Sequence, residues 1–125
     1  VENLQASLAF WCNHIGFVVA YDRPEENFAF LDRDGTQVML EQIDPAHRQW
    51  ITGKLAQPLG RGINFQIEIS DLSNILNALR ESGWPLYIEP EVKTYRTGST
   101  QVVQKQFLVQ DPDGYLLRIC ETVAP

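Results

Sequence analysis

The chain has 125 residues, 44% of them hydrophobic and 21% charged, with a net charge of −6. That is long enough for one packed core, and the acidic balance disfavours nucleic acid and anionic membrane surfaces as partners. No apolar run approaches the ~20 residues of a membrane-spanning helix, and Cys12 and Cys120 lack the spacing of a metal or redox motif, so they read as buried thiols of a reducing, cytoplasmic compartment.

In chain order, Val1-Glu2-Asn3 opens without a signal-peptide pattern. Residues 3–15 predict a helix: Leu4, Leu8, Trp11 and Ile15 form one apolar stripe, Asn3 caps the start, and Gly16 takes the left-handed position past the end. Residues 17–21 read as a strand, 22–26 as a turn and 28–31 as a second strand. Asp32-Arg33-Asp34-Gly35 is a tight turn into a third strand at 36–43. Asp44-Pro45 breaks the pattern; a short helix is expected at 46–51, then a linker containing Pro58 and Gly60. Residues 62–70 form a strand. Asp71 caps a second helix, with Leu72, Ile75, Leu76 and Leu79 on one face and Gly83 at its end. Residues 84–88 lead into a strand that Pro90 interrupts, 89–100 are a polar excursion, and 102–109 are a strand. Asp111-Pro112-Asp113-Gly114 then turns the chain into a final strand.

The chain repeats itself. Asp32-Arg33-Asp34-Gly35 matches Asp111-Pro112-Asp113-Gly114, and each follows a capped helix that ends in Gly plus an aromatic, Gly16-Phe17 and Gly83-Trp84. From Gly16 to Gly35 is 19 residues and from Gly83 to Gly114 is 31, the difference lying in the excursion. The fold class predicted is α+β: two βαβββ modules in tandem, about 1–57 and about 61–125, within one domain of 1–125. Together they build a curved mixed sheet with a central cleft. By symmetry the first strand of the first module is largely missing, only Val1-Glu2 standing where it would end. The twin turns mark the carboxylates of 111–114 as turn formers rather than an acidic site.

Ser7-Leu8-Ala9-Phe10-Trp11, Ile15-Gly16-Phe17, Gly62-Ile63-Asn64-Phe65 and the run from Gln106 to Arg118 resemble the glyoxalase / bleomycin-resistance / extradiol dioxygenase superfamily, the vicinal oxygen chelate fold, across essentially the whole chain. Enzymes of that family bind a divalent metal through His, Gln or Glu on inward-facing strand positions. The resemblance carries those positions to Met39, Asn64 and Arg118, with a fourth upstream of residue 1. Asn is a poor ligand, Met is soft, and Arg is a permanent cation, so neither a metal nor any other cofactor is expected. His14 and His47 belong to no ligand pair. Strand alternation sets Asn64, Gln66 and Glu68, with Leu116, Arg118 and Cys120, toward the cleft, and Tyr115, Leu117 and Ile119 toward the helix. Glu41 or Glu68 is expected to pair with Arg118.

The resemblance to bleomycin-resistance proteins, which hold a bulky, planar, cationic drug at a dimer interface, implies a metal-independent, antibiotic-sequestering homodimer rather than an enzyme. The expected ligand-binding residues are Met39, Glu41, Trp50, Asn64, Gln66, Glu68, Tyr95, Phe107 and Arg118, since a cation needs aromatic faces and carboxylates. The alternative is a divalent-metal enzyme of the same superfamily: a lyase, an isomerase or a thiol transferase. An endogenous metabolite is an equally open ligand.

Overall fold

The computed structural model describes residues 1–123. The chain divides into two compact units, residues 1–61 with the turn 111–114, and residues 62–110 with those from 115 onward. The architecture is α+β with two sheets, each unit pairing one helical segment with one sheet.

The first unit opens with α1 (Leu4–Leu8), which widens into a π-helical stretch (Ala9–His14). Asn3 accepts the Ala6 N–H at 2.9 Å, the expected cap. The Ile15 N–H reaches back five residues to Phe10 O (3.2 Å) and the Phe17 N–H to Trp11 O (3.0 Å). This widening corrects the regular helix expected from the stripe. An extra residue per turn lets Phe10 and Trp11 both enter the core, where Trp11 meets Phe17 edge-on with ring centroids 5.3 Å apart. Gly16 closes the helix at φ +85°.

Three antiparallel strands follow, β1 (Val18–Arg23), β2 (Phe28–Arg33) and β3 (Thr36–Glu41). Ala29, Leu31 and Leu40 are buried with the helix residues. Val1 lies beside the end of β3 in parallel fashion: its amine donates to Glu41 O (2.8 Å), and its carbonyl accepts from Ile43 N (2.8 Å). The helix expected at 46–51 does not form. Pro45 follows an Asp44 whose side chain caps Ala46 N (2.9 Å), and the Gln49 amide bonds both Asp44 N and Gln42 O (3.1 and 2.7 Å). The His47 N–H closes a turn on Asp44 O (3.1 Å), and these side-chain bonds hold the segment as an irregular loop.

The second unit holds β4 (Asn64–Glu68), α2 (Ser73–Glu81), β5 (Ile88–Thr97), β6 (Thr100–Gln110) and β7 (Leu116–Val123). Its sheet has the order β4-β7-β6-β5, with β4 parallel to β7 and the rest antiparallel. α2 buries Ile75, Leu76 and Leu79, worth roughly 1.5–3 kcal/mol each as an upper estimate. Ile67, Phe107, Val109, Leu117 and Ile119 are buried from the sheet. The polar excursion is instead a β-hairpin: β5 runs through 88–97 against β6, and Pro90 sits at the register shift between Ile88 and Glu91. β5 is mostly exposed, so its composition is polar on both faces.

The turn 111–114 does more than reverse the chain. Asp111 and Asp113 are 4% and 3% exposed. Asp111 accepts the Trp11 Nε1–H at 3.2 Å. Asp113 accepts from Glu2 N (3.1 Å), Gln57 Nε2 (3.1 Å) and Ser7 Oγ (3.4 Å), while its carbonyl takes the Leu59 N–H (2.7 Å). A Cβ on Gly114 would lie 2.9 Å from Pro58 Cα. The twin at 32–35 differs: its Arg33 Nε donates to Ile15 O (3.0 Å), Asp32 accepts the Gly35 N–H within the turn (3.2 Å), and the Asp34 side chain is 93% exposed.

Asp113→Ala strands several donors at once and is expected to cost about 2–4 kcal/mol in urea unfolding, against within about 0.5 kcal/mol for Asp34→Asn. A second expectation concerns Asp71. Its carboxylate accepts the Ser73 N–H at 2.9 Å, which holds its pKa below the usual carboxylate range. That contribution is full above the unfolded carboxylate pKa and is lost as pH falls through the folded one. Asp71→Asn keeps a cap and should lose less stability than the parent between pH 5 and pH 3.

Candidate functional site

Each sheet has an open face carrying chemistry. In the second unit the register sets Gln66 beside Arg118 and Gln106 beside Cys120, so these share the face opposite to Leu117, Ile119 and Phe107. The side chains there form a network. Arg118 Nη2 donates to Gln104 Oε1 at 2.6 Å, and its Cζ sits 5.3 Å from the centre of the Tyr95 ring. Gln106 Nε2 donates to Tyr95 Oη (2.7 Å) and Glu91 Oε1 (3.0 Å). Thr122 donates to Glu68 Oε1 at 2.7 Å. Gln104 and Gln106 are 7% and 3% exposed, and two buried atoms, Gln106 Oε1 and Arg118 Nε, have no partner among the described residues.

In the first unit the open face is aromatic. Tyr21 stacks on Phe30 (centroids 4.8 Å, 11° between planes), and the Arg23 guanidinium lies 3.9 Å above the Phe28 ring. Met39 pairs with Phe30 and Glu41 with Phe28 across the β2–β3 ladder, Met39 being 64% exposed. Beside Glu41 lies a pocket of about 480 Å³ lined by Glu26, Ala46, His47 and Arg48, and a smaller one of about 220 Å³ that reaches Trp50. Trp50 is 91% exposed.

Of the residues expected to bind ligand, Met39, Glu41 and Trp50 gather in the first unit. Asn64, Gln66, Glu68, Tyr95 and Arg118 gather on the open face of the second. Phe107 does not belong with them. It is fully buried and pairs with Ile119, on the α2 side of the sheet. Alternation holds the correction: once Ile119 faces the helix, its cross-strand partner must too, and Gln104 and Gln106 turn to the other face. Those two glutamines, with Tyr21, Phe28 and Phe30, are the residues that sequence reasoning missed. Cys120 is also buried, its Sγ 3.8 Å from Ile67 O, and Phe65 and Ile63 on β4's expected helix side are half-exposed. The expected ion pair is absent: Arg118 bonds an amide, and Glu68 a hydroxyl.

At the positions where the resemblance implies metal ligands stand Met39, Asn64 and Arg118, and these do not fit a divalent cation. Among the described residues no three His, Cys, Asp or Glu side chains gather as a metal site, and no helix is long and apolar enough to cross a membrane.

A family model described as the Glyoxalase/Bleomycin resistance protein/Dioxygenase superfamily matches residues 1–119. Among solved structures, a glyoxalase/bleomycin resistance protein/dioxygenase superfamily member from Vibrio splendidus 12B01 is 36% identical, covering 97% of this chain and 91% of that one, with a TM-score of 0.45. A glyoxalase/bleomycin resistance protein/dioxygenase from Alicyclobacillus acidocaldarius is 19% identical over 99% and 86% of the chains, TM-score 0.65. TioX from Micromonospora sp. ML1 is 16% identical over 98% and 93%, TM-score 0.71. No curated protein matches the chain.

Burial pushes the Cys120 and Cys12 thiols up from their ordinary values, and Cys120 is fully enclosed. A thiol reagent at pH 8 should therefore label Cys12 slowly and Cys120 only on unfolding, read by mass spectrometry of the labelled peptides.

Proposed function

The chain belongs to the glyoxalase/bleomycin resistance protein/dioxygenase superfamily, and from that premise we propose that it is a metal-independent binding protein that sequesters a bulky, cationic small molecule such as an antibiotic. The observation that carries the reading is Arg118. It stands where a metalloenzyme of this fold places a carboxylate ligand, it is permanently charged, and it is held by Gln104 at 2.6 Å. A divalent cation there would meet a fixed positive charge.

The aromatic face of the first unit suits the ligand's ring system. Its Tyr21–Phe30 stack is half open, and the electron-rich face of the exposed Tyr21 ring suits a cation. Glu41, opposite Phe28, supplies the negative charge. Trp50 adds an uncovered indole beside it. The working form is a homodimer: Ile63, Phe65, Val18 and Met39 are apolar and 46–64% exposed, surface that a second copy would cover. A cytoplasmic setting fits two free thiols.

Elemental analysis of protein purified without chelator should find no stoichiometric zinc, nickel, manganese or iron; finding one, with activity lost on Glu41→Gln or Glu68→Gln, establishes a metalloenzyme instead. Calorimetric titration with metal-free bleomycin is expected to show binding at or below tens of micromolar. Phe30→Ala should weaken it about tenfold, and Glu41→Gln should weaken it and flatten its salt dependence. No heat at that concentration removes the drug and leaves a metabolite as the ligand. A monomer in light scattering at micromolar concentration removes the dimer.

A further inference from the structure

The open face of the second sheet presents two unmet hydrogen-bonding demands of opposite kind. Arg118 Nε is a donor without an acceptor, and Gln106 Oε1 an acceptor without a donor. The Gln106 amide cannot be turned over to relieve this. Its Nε2 already faces the Glu91 carboxylate at 3.0 Å, and reversal would set two oxygens together. Arg118 has no carboxylate partner among the described residues; an amide oxygen, the face of Tyr95 and the Cys120 thiol lie beside it. Burying such groups unpaired costs stability, and the cost persists in the ligand-free chain unless something else satisfies them.

The charges on this face are ordered. By register the face also carries Lys93, opposite Gln104, and Glu68, opposite Cys120, but at the two unmet atoms the adjacent charges are Arg118 itself, which bears the free donor, and Glu91, bound to the amide that bears the free acceptor. We propose that this face is a binding subsite for an α-amino carboxylate: the ligand's carboxylate accepts from Arg118 Nε–H, and its ammonium donates to Gln106 Oε1 with Glu91 behind it. A bare anion meets Glu91, and a bare cation meets Arg118, so the zwitterion is favoured over either half. Arg118 and Gln106 are diagonal neighbours on β7 and β6, close enough for one small group to span. Tyr95 is the cover. It is 37% exposed on the edge strand β5, lies over Arg118, and holds Gln106 through its hydroxyl. Rotation of that one side chain opens both atoms, a rotamer change of the kind exposed residues make freely. The subsite rests on the metal-independent reading of Arg118 given above, and it is separate from the aromatic face of the first unit.

The test is the Arg118 Nε–H resonance of the wild-type protein in ¹H–¹⁵N spectra, assigned by its loss in Arg118→Lys. Glycine and L-alanine are expected to shift it saturably in the millimolar range, with acetate about threefold weaker or worse and ethylamine inactive. Gln106→Leu should abolish the advantage of L-alanine over acetate. An unmoved resonance at about 50 mM of either amino acid overturns the proposal, as does an equal response to acetate or inorganic phosphate. The wild-type ratio decides the matter if Gln106→Leu does not fold. A stoichiometric metal defeats the metal-independent reading; a silent resonance in metal-free protein defeats this subsite alone.

Discussion

The turn at 111–114 is the constraint on which the first unit depends. It brings two carboxylates into the core, where an indole, a hydroxyl, an amide and backbone N–H groups donate to them. Each of those donors is itself otherwise difficult to bury. Ser7 can sit at zero exposure on an apolar helix because Asp113 faces it, and Trp11 can bury its indole because Asp111 takes the N–H. Donor and acceptor thus solve one another's desolvation, and the helix, its π-helical widening and the turn become one unit of packing.

The two open faces differ in the chemistry they expose. One offers rings, a thioether and a carboxylate, with shape and dispersion dominant; the other offers a guanidinium and two buried amides, where hydrogen bonds of fixed direction dominate. In a superfamily of this breadth, one fold hosts many functions, and the side chains on its strands, such as Arg118, set the chemistry of each face.

Much of this was legible in the residues. Capping at Asn3, the Asp71 bond to Ser73 N, the glycines at 16 and 83, the duplicated turn and the inward set of Ile67, Leu117 and Ile119 all act locally, and local rules read them. What failed was decided at a distance or by side chains competing with the backbone. The helix stripe put Leu8 inside, whereas the π-helical widening turns Phe10 and Trp11 inward together and leaves Leu8 half-exposed. The segment expected as a helix at 46–51 is instead a loop, its Gln49 amide tied back to Gln42 and Asp44. β5 looked like a loop because an edge strand exposed on both faces has no alternation to show. Phe107 was read by its aromaticity rather than by its partner Ile119. Gln104 and Gln106 were passed over because an amide announces nothing until its neighbours are known.

The same turn has a consequence for how the protein is made. Trp11 and its acceptor are separated by 100 residues, and Glu2 and Asp113 by 111. During synthesis the helix of the first unit leaves the ribosome long before the segment that completes its core. At the usual 5–20 residues per second the wait is of the order of 5–20 seconds. Throughout that interval the Trp11 indole and Ser7 hydroxyl have only water for partners. The first unit therefore cannot complete its core until the turn at 111–114 has been translated.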